Sequence, residues 1–221
     1  MAEWRRCDDP LAAAASTLAA GLDGVAEPRI AIPGGSAVAA LPALRVALGP
    51  ARWAQTTITW VDERCVPPDH PDSNQAAAAR TGALAGVGVT VPLWRDGDTF
   101  ATAQARFEAH WRAHWAAAPH PGLHALLLGV GGDGHIASLF PGRPRPTEGR
   151  IAAVSDSPKP PSRRLTLTPA ALATASTVVV LALGEGKRDA LTRITRGDPE
   201  LVASTLHPTI VTDIPRELPP S

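Results

Sequence analysis

The stretch Ala125-Leu126-Leu127-Leu128-Gly129-Val130-Gly131-Gly132-Asp133-Gly134-His135 decides how the rest of this 221-residue chain reads. A short, wholly apolar run suits a strand buried on both faces, and the glycines behind it suit a turn at the strand's carboxyl end. Three further runs have the same form. Arg29-Ile30-Ala31-Ile32 stops at Pro33-Gly34-Gly35-Ser36, residues 57–61 stop at Asp62-Glu63-Arg64, and Val178-Val179-Val180-Leu181 reaches Gly184-Glu185-Gly186-Lys187. Helix-compatible segments follow the first, third and fourth runs, so the pattern predicts an α/β fold with a mostly parallel sheet flanked by helices. The carboxyl ends of such strands share one edge, where ligands bind. The four clusters then converge on one crevice holding phosphate-binding backbone, carboxylates, a histidine and two kinds of cation.

The remaining segments fit the same plan. Asp8, Asp9 and Pro10 open a helix whose Leu11, Leu18, Leu22 and Val25 form one stripe; this outweighs the resemblance of residues 11–20 to a signal-peptide core. Further helices are expected over residues 37–48, from the alanine-rich run to about residue 84, over 102–117 with Phe107, Trp111 and Trp115 on one side, and from 187 to about 196. Residues 151–154 and 164–168 read as strands, with Pro169 opening a helix, and the proline-rich run 143–162 reads mostly as surface loop. With no repeat and no long linker, a single domain over residues 1–221 is expected, its end from 215 a loose tail.

Lys+Arg and Asp+Glu both number 21, so the chain lacks the basic excess of a nucleic-acid binder. No apolar run approaches the ~20 residues that span a bilayer. Cys7 and Cys65 have no ligand-like spacing and read as reduced thiols of a cytoplasmic protein. The expected state is a monomer or weak homo-oligomer with no nucleic-acid or membrane partner, no metal and no cofactor.

Each cluster carries a plain and a chemical reading. Gly34-Gly35-Ser36 is either a strand–helix turn or an anion cradle of backbone N–H groups at a helix start. Residues 129–134 fit the dinucleotide pattern G-x-G-x-x-G, but Phe140-Pro141-Gly142 cuts short the helix that should follow, and the strand-end acid expected about 20 residues on is missing. Asp133 and His135 flank Gly134 instead, and a histidine near its ordinary pKa of ~6.5 can act as a general base. Lys187 lacks a Walker A context and is either solvated or an anion anchor at a helix start. Of Arg163 and Arg164, at least one is expected to face the crevice. Asp62-Glu63-Arg64 is either a charged rim or an acid/base with a cation. His110 and His114 have zinc-like spacing but no glutamate after His110, and two tryptophans beside them favour packing.

Taken together these motifs resemble the glucosamine-6-phosphate isomerase/6-phosphogluconolactonase family. The resemblance rests on Gly34-Gly35-Ser36, Val61-Asp62-Glu63-Arg64-Cys65-Val66-Pro67, Asp72-Ser73-Asn74, the run from Gly129 to Gly142, Pro160-Pro161 through Thr168, and Gly184-Glu185-Gly186-Lys187. It implies a modified Rossmann-like domain and hydrolysis of 6-phosphogluconolactone to 6-phosphogluconate in the pentose phosphate pathway, without metal or cofactor. Under that reading His135 is the general base, Asp133 orients it and Asp62 binds sugar hydroxyls. Gly34, Gly35, Ser36, Arg64, Arg164 and Lys187 hold the phosphate. Two positions depart from the pattern: Ala37-Val38 replaces Thr-Pro, and Cys65 replaces an aromatic. The family's isomerase/deaminase branch carries Asn-Glu before the proline where this chain has Phe140, which cannot relay a proton. A non-catalytic sugar-phosphate sensor would need the phosphate anchors but not Asp133 and His135, and would usually carry a DNA-binding helix-turn-helix, for which the chain leaves no spare segment.

Overall fold

The computed structural model describes residues 2–216, so most of the tail expected from 215 onward lies outside the described residues. In chain order the strands are β1 (Glu3–Arg6), β2 (Arg29–Ile32), β3 (Thr57–Trp60), β4 (Asp62–Arg64), β5 (Val89–Val91), β6 (Ala125–Leu128), β7 (Ile151–Val154), β8 (Arg164–Leu167), β9 (Thr177–Ala182) and β10 (Thr209–Thr212). The helices are α1 (Pro10–Gly21), α2 (Leu41–Trp53), α3 (Asn74–Arg80), α4 (Phe100–His110), α5 (Pro169–Leu172), α6 (Arg188–Thr195) and α7 (Val202–Thr205).

Seven strands pair in the order β1-β10-β9-β6-β2-β3-β5, every pair parallel. The chain lays down β2, β3 and β5 in one direction, then returns to place β6, β9 and β10 on the other side of β2. The order therefore reverses between β2 and β6, the topological switch point where open α/β sheets bind ligands. Both glycine-rich loops leave the sheet there. The four apolar runs are its inner strands: Ile30, Ile58, Leu126, Leu127, Val179 and Val180 are wholly buried. Full burial of each such side chain is worth ~1.5–3 kcal/mol over leaving it in water.

The expected N-terminal helix is α1, with the Asp9 carboxylate accepting from the Ala12 N–H at 3.0 Å and Leu18 and Leu22 in the core. The helix expected after β2 begins as a tight 3-10 turn, Gly35–Ala40, before α2, and α2 kinks at Gly49-Pro50. The alanine-rich helix stops at Arg80, and α4 continues into a π-helical turn, Trp111–Trp115, that stacks Phe107, Trp111 and Trp115.

The second cluster departs from the sequence expectation. Asp62-Glu63-Arg64 is a strand of its own, not merely the charged end of the run over residues 57–61. The chain leaves the large sheet at Val61 and enters a small antiparallel sheet, β4-β8-β7, with Asp62 opposite Thr166 and Arg64 opposite Arg164. Asp62, Arg64 and Arg164 of this sheet line a cleft together with loops at the carboxyl ends of the larger sheet's strands. Among the described residues no helix is long and apolar enough to cross a membrane.

Candidate active site

The loop after β6 folds back on itself through Gly131 N–H to the His135 carbonyl (2.8 Å) and Gly134 N–H to the Gly131 carbonyl (3.0 Å). This brings the His135 Nδ1 within 2.5 Å of the Asp133 Oδ1. A Cβ on Gly131 would lie 2.1 Å from the His135 Nδ1 and 2.3 Å from the Asp133 Oδ1, so the pair exists only because that position has no side chain. The imidazole packs on Phe140, ring centroids 4.7 Å apart. Burial lowers the pKa of His135; the hydrogen bond and charge of Asp133 oppose this without reversing it, so the ring is neutral near pH 7. Burial would raise Asp133, but the hydrogen bond and charge of His135 outweigh it and hold the carboxyl below its ordinary value. An ionised Asp133 accepts from Nδ1–H, which leaves the lone pair on Nε2.

Across the switch point, the 3-10 turn after β2 presents Gly35 and Ser36. A Cβ on Gly34 would collide with the Asn74 Oδ1 at 1.8 Å, so glycine lets β2 and the start of α3 meet. Asn74 is buried; its Nδ2 donates to the Asp62 backbone carbonyl (2.8 Å) and Oδ1 (3.0 Å). The other Asp62 oxygen accepts from the Ser138 hydroxyl at 2.7 Å and lies 3.8 Å from the Arg164 Nη1.

Glu63 points the other way. It is fully buried and accepts from the N–H groups of Arg64 (2.7 Å), Asn74 (2.7 Å) and Gln75 (2.8 Å). Burial pushes its pKa up while these N–H groups pull it down. Glu63 thus ties β4 to the N-terminus of α3, and the acid/base reading of the cluster reduces to Asp62.

The cations divide in the same way. Arg163 stacks over Phe100, its guanidinium 4.7 Å from the ring centroid. Arg164 is 3% exposed; Nε donates to the Pro161 carbonyl (2.9 Å) and Nη2 to the Lys159 carbonyl (2.8 Å). Arg64 donates through Nη1 to the Asp72 carbonyl (2.6 Å), and its buried Nε has no hydrogen-bond partner among the described residues. Lys187 closes a second 3-10 turn, Glu185–Lys187, ahead of α6.

Glu63 and Arg163 apart, these groups surround one cleft of about 770 Å³, counting the space at its mouth. Of the residues picked out from sequence, Gly34, Gly35, Ser36, Asp62, Arg64, His135, Arg164 and Lys187 all line it, and Asp133 stands behind His135. Asn74 and Lys159 line it too. Neither had been singled out for a role there, and Lys159 had a signal: the 21 basic residues include only two lysines, Lys159 and Lys187, and both face the cleft. His110 and His114 lie elsewhere, stacked with centroids 4.6 Å apart beside Trp115. Both cysteines are free, and burial pushes the Cys65 thiol up to about 12, far from a reactive thiolate.

A model of the glucosamine-6-phosphate isomerases/6-phosphogluconolactonase family matches residues 7–212. A 6-phosphogluconolactonase of Rattus norvegicus is 37% identical over 174 residues, covering 75% of this chain and 67% of the relative. A probable chloroplastic 6-phosphogluconolactonase of Oryza sativa subsp. indica is 34% identical over 177 residues, covering 73% of this chain but only 54% of the relative. The solved structure of a 6-phosphogluconolactonase from Thermotoga maritima superposes with a TM-score of 0.79 at 22% identity, over 96% of this chain and 99% of that one, a likeness of fold.

Proposed function

Because the chain belongs to the glucosamine-6-phosphate isomerase/6-phosphogluconolactonase family, we propose that it hydrolyses 6-phosphogluconolactone to 6-phosphogluconate, a step of the oxidative pentose phosphate pathway. One observation carries the reading: a neutral imidazole, oriented by a carboxylate at 2.5 Å, shares a cleft with an exposed Gly-Ser turn and several cations. A base at one end and anion-binding groups at the other suit a substrate with an ester carbonyl and a phosphate.

In this mechanism the Nε2 of His135 takes a proton from water as the water oxygen bonds to the lactone carbonyl carbon. Asp133 stabilises the imidazolium that forms. Collapse of the tetrahedral adduct breaks the bond to the ring oxygen, which receives the proton back from Nε2. The products are a carboxylic acid, ionised at neutral pH, and a free hydroxyl. Gly34, Gly35, Ser36, Arg64 and Lys187 hold the phosphate, with Arg164 adding charge from behind the wall. The unpartnered Arg64 Nε gives that guanidinium a donor to offer. Each charge-assisted hydrogen bond is worth about 1.5–3 kcal/mol. Asp62 accepts from sugar hydroxyls at the cleft floor.

The family's other activity, isomerisation of an amino-sugar phosphate, needs a second proton-relaying group beside the histidine. Here the neighbour of His135 is the hydrocarbon ring of Phe140. A coupled assay on freshly made lactone, with a no-enzyme blank and glucosamine 6-phosphate in parallel, tests the assignment. Turnover of the lactone alone is expected; turnover of glucosamine 6-phosphate alone overturns it.

A further inference from the structure

Lys159 lies on the proline-rich run between β7 and β8. Its backbone is held from two sides. The buried Arg164 donates Nη2 to the Lys159 carbonyl at 2.8 Å and Nε to the Pro161 carbonyl at 2.9 Å. The Ser157 hydroxyl donates to the same Lys159 carbonyl at 3.0 Å and accepts from the Lys159 N–H at 3.3 Å. The side chain itself is uncommitted: among the described residues its ammonium has no hydrogen-bond or ion-pair partner, and it lines the cleft with His135. An anchored backbone thus carries an uncommitted ammonium beside the cleft.

The other cations of the cleft are placed differently. Arg164 directs its donors at the loop, Arg64 comes from β4, and Lys187 stands at the start of α6. Beside the larger effect of burial and the mutual effect of the pair, the charge of Lys159 lowers the pKa of both Asp133 and His135. The groups that act on His135 are then Asp133 and Asp62, which raise its pKa, and Lys159, which lowers it.

We infer that Lys159 is a catalytic residue, its ammonium stabilising the negative charge that develops on the lactone carbonyl oxygen as water attacks. The inference rests on the lactonase reading and adds to it the group that receives the oxyanion. No atom is transferred to or from Lys159; it remains protonated throughout, and its interaction with the oxygen is strongest when the carbonyl carbon is tetrahedral. A compact ammonium suits that point charge, whereas the planar fork of arginine suits phosphate. This gives a physical reason for a lysine here in a chain whose other cations, Lys187 apart, are arginines.

The test is Lys159→Met and Lys159→Arg, assayed on fresh lactone beside the wild type, with the His135 ring titrated by NMR. In Lys159→Met, kcat is expected to fall by about 10²-fold while KM stays within about threefold. Lys159→Arg should recover at least part of the lost kcat. The His135 ring should titrate at higher pH in Lys159→Met, because a repelling charge has gone. A rise in KM with kcat kept would make Lys159 a phosphate anchor and overturn the inference, as would kinetics or a His135 titration indistinguishable from wild type. A wild type inert toward the lactone would instead sink the activity assignment itself.

Discussion

His124 and His135 stand at opposite ends of the same strand, β6, and burial lowers the pKa of both, yet they do different work. At the amino end, His124 Nδ1 accepts from the Arg29 backbone N–H at 3.1 Å, the Arg29 guanidinium sits 3.3 Å from Nε2, and His120 stacks on the ring. With burial first, then the positive charge of Arg29 and His120, its pKa falls to about 4. That histidine is a fixed acceptor. At the carboxyl end, a carboxylate opposes the effect of burial and is poised to stabilise the imidazolium. Burial keeps a histidine neutral; the charge of its partner decides whether it can take a proton and give it back.

The sharpest way to break this comparison is to remove each ring in turn. His135→Ala should lower kcat by ~10²–10⁴ with the fold intact and phosphate binding largely retained. Near-wild-type turnover in a folded variant would end the general-base assignment. Gly131→Ala, which leaves both catalytic side chains in the sequence, should cost about 10²-fold in kcat by pushing the His135–Asp133 pair apart. A crystal structure of the variant with the pair undisturbed would contradict the packing argument.

His124→Leu should do the reverse: kcat within about twofold of wild type, but stability lower by ~1–3 kcal/mol because the Arg29 N–H loses its acceptor. The sign of the pH effect follows from the lowered pKa. The unfolded ring binds a proton below 6.5 and the folded ring only below about 4, so the stability His124 confers is present above 6.5 and is lost as pH falls toward 4. Thermal melts over that range should therefore slope less steeply in His124→Leu than in wild type.

The smallest effect is a displaced titration. The acid limb of kcat/KM should have its midpoint below 6.5, the ordinary histidine value. Asp133→Asn should move it lower still, because it removes the hydrogen bond and charge that support protonation of His135. A limb that moves upward would mean that another group controls the ring.

The inner strands of the large sheet were legible because β-branched, apolar runs of strand length between turn residues have few alternatives. The edges were not. At one edge Glu3-Trp4-Arg5-Arg6 is mostly exposed and has no core pattern, and at the other β5 is only three residues long. Of the small sheet, β7 and β8 were legible as strands, but their pairing with β4 was not, because β4 is three charged residues with no apolar pattern.

In the site, the residue types and their convergence could be read from the chain, since glycine turns and strand ends have local signatures. The split of labour among charges could not. Arg163 and Arg164 are adjacent, yet one stacks on Phe100 and the other binds the carbonyls around Lys159. Asp62 and Glu63 are adjacent, yet alternation along β4 sends one to the cleft and the other to the backbone of α3. Strand parity decides such pairs, and parity depends on which sheet the chain has joined.

The scarcity of lysine has a practical corollary. Reagents selective for primary amines would find just two side chains to modify, both lining the cleft. Apart from the α-amino group, acylation or reductive methylation would therefore mark the cleft alone, and that marking would be blocked by any occupant that covers the two lysines. Attachment of this protein to surfaces is better made through another chemistry.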